Sequence, residues 1–271
     1  MYNMNRKIVW SVLSAIMFIS GAVLLVYFFW ANGYFTPPKT SPSETYIDFT
    51  YPSLPSEIEA DILPTANTSS DKSGEEYEYV SPVNFDELQA ANPEIIGWIY
   101  MTNPYISQPI LRSSYDDSYY LTHGPTGDYD RNGSFFVEGQ YNGTDFSDPC
   151  TIIYGHRQSD GSMFGNLEAT FADLDIVNDS QYIVIYLPNE TKIYHVIATI
   201  PYNKKHILYY NNFSSEAGYN DFINSVYSST GSEVQLVNEG RPVFGDRILI
   251  LSTCLRTDRT QRYLVIGREL T

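Results

Sequence analysis

The sequence predicts a mainly β domain of about eight short strands, a number compatible with a small closed barrel, joined to one N-terminal transmembrane helix. Three observations predict it. Apolar segments of strand length recur between turn residues from about residue 97 to the C-terminus, an uncharged run of about 23 residues lies near the start, and the composition favours strands. Hydrophobic residues make up 43% and aromatic residues 15%, with 24 Tyr, which is enough apolar material for a core and a bias toward side chains that pack on pleated surfaces. The 271 residues leave room for one domain of ordinary size plus an anchor, and exclude a second large domain. A formal net charge of -16 excludes a phosphate-tracking surface, because nucleic-acid binding relies on clustered Lys and Arg; no nucleic acid is expected as a partner.

The uncharged run, residues 8–30, reads IVWSVLSAIMFISGAVLLVYFFW. It is long enough to cross a bilayer, and longer than the apolar stretch of a cleaved secretory leader. Arg6 and Lys7 precede it with no comparable basic cluster after it, so the positive-inside bias puts residues 1–7 in the cytoplasm and the rest outside. The aromatic tail YFFW suits a membrane interface. The expectation is a single-pass, N-in cell-membrane protein. Residues 31–80 are rich in Pro, Ser, Thr and acid without helical or alternating period, and read as an extended spacer. Residues 81–271 are left as the folded domain.

That domain opens with NFDELQAANPE from Asn84, a short capped helix halted by Pro93, followed by the strand-like GWIYM at Gly97. Further strand candidates are YISQPIL at Tyr105, GSFFV at Gly133, CTIIY at Cys150, QYIVIYL at Gln181, TKIYHVIATI at Thr191, RILILST at Arg247 and YLVIG at Tyr263. Pro188, Asn189 and Glu190 separate two of them as a hairpin turn would. Between these strands and Arg247, Tyr219, Phe222, Ile223 and Val226 recur at helical spacing, so a helix interrupts the barrel.

Cys254 ends the apolar strand RILILSTC, so its thiol emerges at the rim of the sheet. His156 also follows directly on a strand, in TIIYGHRQSDGSMF, where Gly155 allows the chain to turn. Two strand ends can bring these side chains together, although a Cys and a His alone are a weak signal, and a strand-terminal Cys is commonly a small buried hydrophobe. The other cysteine, Cys150, opens a strand and is expected to pack; two cysteines are too few for a disulfide-stapled scaffold. His195 is expected on a strand face, and His123 and His206 in loops. No histidine pair has the spacing of a helical zinc site, and the acidic residues of DYDRNG and TDFSDP read as solvated turns, so neither metal nor cofactor is expected.

The local strings carry more. LSTC followed eight residues later by Arg262 in QRYLVIG, with YGHRQSDGSMF about a hundred residues earlier, resembles the sortase family of Gram-positive cell-surface cysteine transpeptidases. NPEIIGWIYM, YISQPIL, YYLTHG and GSFFV fall between in the family's order, so the resemblance covers roughly residues 82–271, and the histidine string together with the helix before RILILSTC points to class B. The resemblance implies an eight-stranded sortase barrel with peripheral helices. It implies Cys254 as nucleophile, His156 as acid and base, and Arg262 as the catalytic arginine. Arg262 is preferred to Arg256 and Arg259 because it immediately precedes the final apolar strand, with Arg259 in reserve. Leu111, Ile207 and Ser252 carry over as substrate contacts, beside the competing reading of ordinary barrel packing. The implied reaction is cleavage of a C-terminal NPxTx-like sorting motif after its Thr, then transfer of the acyl group from Cys254 to an amine of a cell-wall precursor or, alternatively, of a pilin lysine.

The chemistry follows from the residue types. A free thiol with a pKa near 8.5 is only about 3% thiolate at pH 7, so a neighbouring cation helps the attacking form. An imidazole can protonate the leaving amine and later deprotonate the incoming one. A guanidinium stays charged and offers a fork of donors to a developing oxyanion. Two other readings compete: an L,D-transpeptidase, whose SxGC string is absent around Cys254, and a non-catalytic anchored β-barrel that only binds a partner.

Overall fold

In the computed structural model the described residues are 79–270; the expected anchor, and the expected spacer up to residue 78, lie outside them. Among the described residues no helix is long and apolar enough to cross a membrane. The first element is helix α1 (Phe85–Ala91), capped as its sequence predicts: the Asn84 side chain accepts the Glu87 N–H at 3.2 Å, and Phe85 and Leu88 turn inward. Strands β1 (Ile95–Met101) and β2 (Ile106–Leu111) pair antiparallel, and β3 (Phe135–Phe136) runs parallel to β2. Next come β4 (Cys150–Tyr154), helix α2 (Leu167–Asp173) and the hairpin β5 (Tyr182–Tyr186) with β6 (Thr191–Tyr202). Helices α3 (Ile207–Tyr210) and α4 (Glu216–Tyr227) precede the two-residue β7 (Gln235–Leu236), β8 (Ile248–Cys254) and β9 (Arg262–Glu269).

The strands run in the order β5-β1-β2-β3-β4-β8-β9-β6, and β6 pairs back onto β5, so eight strands close into a barrel. Closure leaves these strands without a continuous open edge. The 12-residue β6 makes this possible: its first part pairs with β5, its later part with β9, and β7 adds a ninth, short strand to it. Ile99, Ile110, Ile152, Ile185, Val196 and Ile250, all at 0% exposure, belong to one contiguous hydrophobic core. Side chains fill such a barrel, so chemistry has to sit at its rim.

The expected strands are all present, though GSFFV contributes only Phe135 and Phe136 to the sheet. The expected helix over Tyr219, Phe222, Ile223 and Val226 is α4, and all four are buried. Two short helices, α2 and α3, escape the periodicity reading because 7 and 4 residues give too few turns to establish a period.

Candidate active site

The site forms where β4 and β8 end side by side. These two strands are parallel, with Tyr154 level with Ser252, and the Gly155 N–H donates to the Ser252 carbonyl at 3.2 Å. His156 and Cys254 therefore leave the barrel at the same rim. Gly155 serves close approach more than turning: a Cβ there would meet the Phe135 ring at 2.6 Å and the Phe164 ring at 2.7 Å. The loop beyond His156 doubles back, with the Phe164 N–H donating to the His156 carbonyl at 3.0 Å. This packs the loop against β3 and sets the height of the imidazole.

On the other side of Cys254 lies β9. Cys254 pairs directly with Arg262, and Arg262 in turn with Tyr202 of β6. A directly opposed pair on antiparallel strands shares one face, and here Arg262 Nη1 lies 3.7 Å from Cys254 Sγ. The connecting loop is kept tight by Asp258, whose carboxylate accepts the Thr260 N–H at 2.9 Å, the Thr260 hydroxyl at 2.6 Å and the Gln261 amide at 3.0 Å. These bonds, led by the Thr260 hydroxyl, lower the Asp258 carboxyl pKa. Arg259 is exposed in this loop, and Arg256 offers Glu168 its backbone N–H at 2.6 Å. Of the three arginines, only Arg262 has a described contact with the thiol.

The His156 Nε2–H donates to the Leu121 carbonyl at 2.7 Å, leaving Nδ1 as the free ring nitrogen. Among the described residues no hydrogen bond joins His156 to Cys254. The two thiols differ sharply. Cys254 is half-buried, whereas Cys150 is buried at the start of β4, and burial pushes its thiol well above the ordinary value.

A cleft of about 270 Å³ opens at Arg262, the cross-strand partner of Cys254, with Ser252, Tyr154, Tyr202, Leu121 and Ile207 also in its lining; Cys254 and His156 do not themselves line it. Two of the three expected substrate contacts thus face it. Leu111 does not line it: the residue is at 0% exposure at the end of β2, paired with Ile95 and Phe136. The cleft also holds residues that sequence reasoning missed. His206 lies in a loop as expected, where it caps the start of α3; it lines the cleft, with Nε2 2.7 Å from Glu138 Oε2. Tyr154 donates its hydroxyl to the same oxygen at 3.0 Å. The YGH string contains Tyr154, but nothing in it indicates a carboxylate partner. His195 lies on the β6 face opposite Tyr182 and Arg268, and its pKa is lowered by burial and then by the Arg268 charge.

No family model matches the chain. Among curated proteins, it is 32% identical over 174 residues to Sortase B of Listeria monocytogenes, a match that covers 62% of this chain and 65% of that protein, just under two thirds of its length. It is 26% identical over 200 residues to Sortase B of Staphylococcus aureus, covering 70% of this chain and 76% of that one. Among solved structures, sortase B from Bacillus anthracis in complex with AAEK1 superposes with a TM-score of 0.58 at 28% identity, covering 69% of this chain and 84% of that one. The closed eight-stranded barrel and these relatives agree: over about two thirds of its length the chain is similar to class B sortases in sequence and in fold.

Proposed function

We propose that the chain is a cysteine transpeptidase that cleaves a C-terminal NPxTx-like sorting motif after Thr and transfers the acyl group to an amine of a cell-wall precursor. The observation that carries this reading is the Cys254–Arg262 cross-strand pair, Nη1 to Sγ 3.7 Å, with His156 at the end of the adjoining parallel strand and a cleft alongside. Cys254, with the Arg262 guanidinium 3.7 Å from its Sγ, attacks the Thr carbonyl as the thiolate, its thiol proton passing to His156 Nδ1. The same guanidinium is placed to donate to the oxyanion as it develops. His156 protonates the leaving amine, the C–N bond breaks and a thioester remains on Cys254. The incoming amine then loses its proton to His156, attacks the thioester and releases the thiolate. The missing His156–Cys254 bond is compatible with this, since catalytic contacts are often long until substrate draws them together.

Residues 8–30 would hold the chain in the cell membrane with its N-terminus cytoplasmic, and residues 31–80 would space the domain from the bilayer on the outer side. The support is the length and flanking charge of the apolar run.

The test is incubation of the purified chain with fluorogenic sorting pentapeptides, with and without an amine acceptor, beside its Cys254→Ala variant. Cleavage after Thr that requires Cys254 and gives ligated product when acceptor is present is the expected result. Complete inertness toward every peptide, with an unreactive Cys254, would leave a barrel that only binds a partner.

A further inference from the structure

The polar side chains Tyr154, Glu138 and His206 line the cleft beside Ser252, and the Tyr154 and His206 protons that face Glu138 are already committed to it. Tyr154 donates its hydroxyl to Glu138 Oε2 at 3.0 Å, and the His206 Nε2–H donates to the same oxygen at 2.7 Å. His206 Nδ1 accepts the Tyr209 backbone N–H at 3.1 Å, which fixes the ring as the Nε2–H tautomer. The Tyr141 ring packs on the imidazole at 4.8 Å between centroids. Burial, and then the Glu138 charge, push the Tyr154 hydroxyl far above its ordinary pKa, so it remains a donor to Glu138. The second carboxylate oxygen, Oε1, has no partner among the described residues, and the Glu138 side chain is 18% exposed.

What these three residues offer a ligand is therefore acceptors: Glu138 Oε1 and the spare lone pair of the Tyr154 hydroxyl. The Ser252 hydroxyl can turn to either role. A substrate side chain with N–H donors completes Oε1. An aliphatic side chain strips water from Oε1 without replacing the bond, and a carboxylate meets like charge.

We propose that Glu138 is a specificity-determining residue that reads the first side chain of the sorting pentapeptide as a carboxamide, accepting an N–H bond from it at Oε1. The inference rests on the transpeptidase reading above. In an NPxTx-like motif only the Asn and the Thr are fixed residues with side-chain donors, and the Thr is held at Cys254, so the Asn falls to Glu138. The surrounding charge sharpens the point. Lys204, Lys205 and Arg262 line the cleft against Asp117 and Glu138, so its overall field does not reject an acid. Discrimination between Asn and its isostere Asp has to come from a local acceptor.

The experiment titrates the Cys254→Ala variant of the full chain with three pentapeptides that differ only in Asn, Asp or Leu at the first position, and repeats the titration with Glu138→Gln added. Asn is expected to bind at least about tenfold more tightly than Asp or Leu, the scale of discrimination expected when a buried polar group loses its partner. Glu138→Gln, whose amide both donates and accepts, is expected to bring Asp within about twofold of Asn. Equal affinity for Asn and Asp before the second substitution would overturn the assignment, and that comparison does not depend on the double variant folding. An Asn-to-Asp ratio unchanged by Glu138→Gln, or no binding of any peptide, would overturn it as well. Cleavage by the unsubstituted chain is read separately: peptides bound with the Asn preference but never cleaved refute the transpeptidase reading and leave Glu138 as the reader of the side chain.

Discussion

At Cys254 the thiol is half-buried with a guanidinium nitrogen 3.7 Å away, whereas Cys150 is 1% exposed at the start of β4. Nucleophilicity follows thiolate character and access, so iodoacetamide near pH 7 is expected to label Cys254 and to reach Cys150 only after unfolding in urea. Mass spectrometry of the labelled peptides checks this, and equal labelling in the folded chain would remove the distinction between the two. Arg262→Lys is expected to lower kcat/KM by about 100-fold, because an ammonium does not reproduce the planar fork beside Sγ. A Tm unchanged from the parent would locate that loss in the chemistry. The strand-end positions of Cys254, His156 and Arg262 were legible in the sequence because each sits in a short local string that closes or opens an apolar run. Glu138 and His206 were not, because their contact spans 68 residues and exists only after β3 and α3 are brought to the same rim.

The elements around the site act as spacers set to fractions of an ångström. Gly155 lets β4 end against the Phe135 and Phe164 rings, which lie 4.3 Å apart, and a methyl there would overlap both. Gly155→Ala is expected to cost about 1–3 kcal/mol of stability, read by urea unfolding, and to reduce activity beyond that loss by displacing His156. The β8–β9 connection should be the softer lever. Asp258→Ala removes three hydrogen bonds from an exposed loop, so little change in Tm is expected, with a kcat/KM several-fold lower as the Arg262 end of the hairpin loosens. Within β6, burial and the Arg268 charge favour neutral His195, so the unfolded chain binds that proton more readily. Stability should therefore fall as pH drops below the ordinary histidine value of 6.5, and His195→Gln should flatten that part of the profile. The hairpins and α4 were readable from alternation and helical spacing. The short α2 and α3 were not, since tertiary packing decides elements of one or two turns.

For the whole molecule, closure of β6 onto β5 turns a run of short apolar segments into a filled barrel whose parallel β4 and β8 end together. The eight strands were countable in the sequence, but their order was not, because neither parallel pairing joins consecutive apolar segments by a hairpin. If residues 8–30 anchor the chain, deleting residues 1–30 should move it from the membrane to the soluble fraction while its rate on a soluble pentapeptide stays within about twofold. Retention in the membrane fraction would remove the anchor. If this rim performs acyl transfer, the acyl group passes through a thioester on Cys254. Intact-mass spectrometry of the chain mixed with an NPxTx-type pentapeptide tests it most directly. A new mass on the parent equal to the acyl fragment through Thr, absent from Cys254→Ala and discharged to ligated product when amine is added, is the expected result. No adduct, or the same adduct in both proteins, would contradict it.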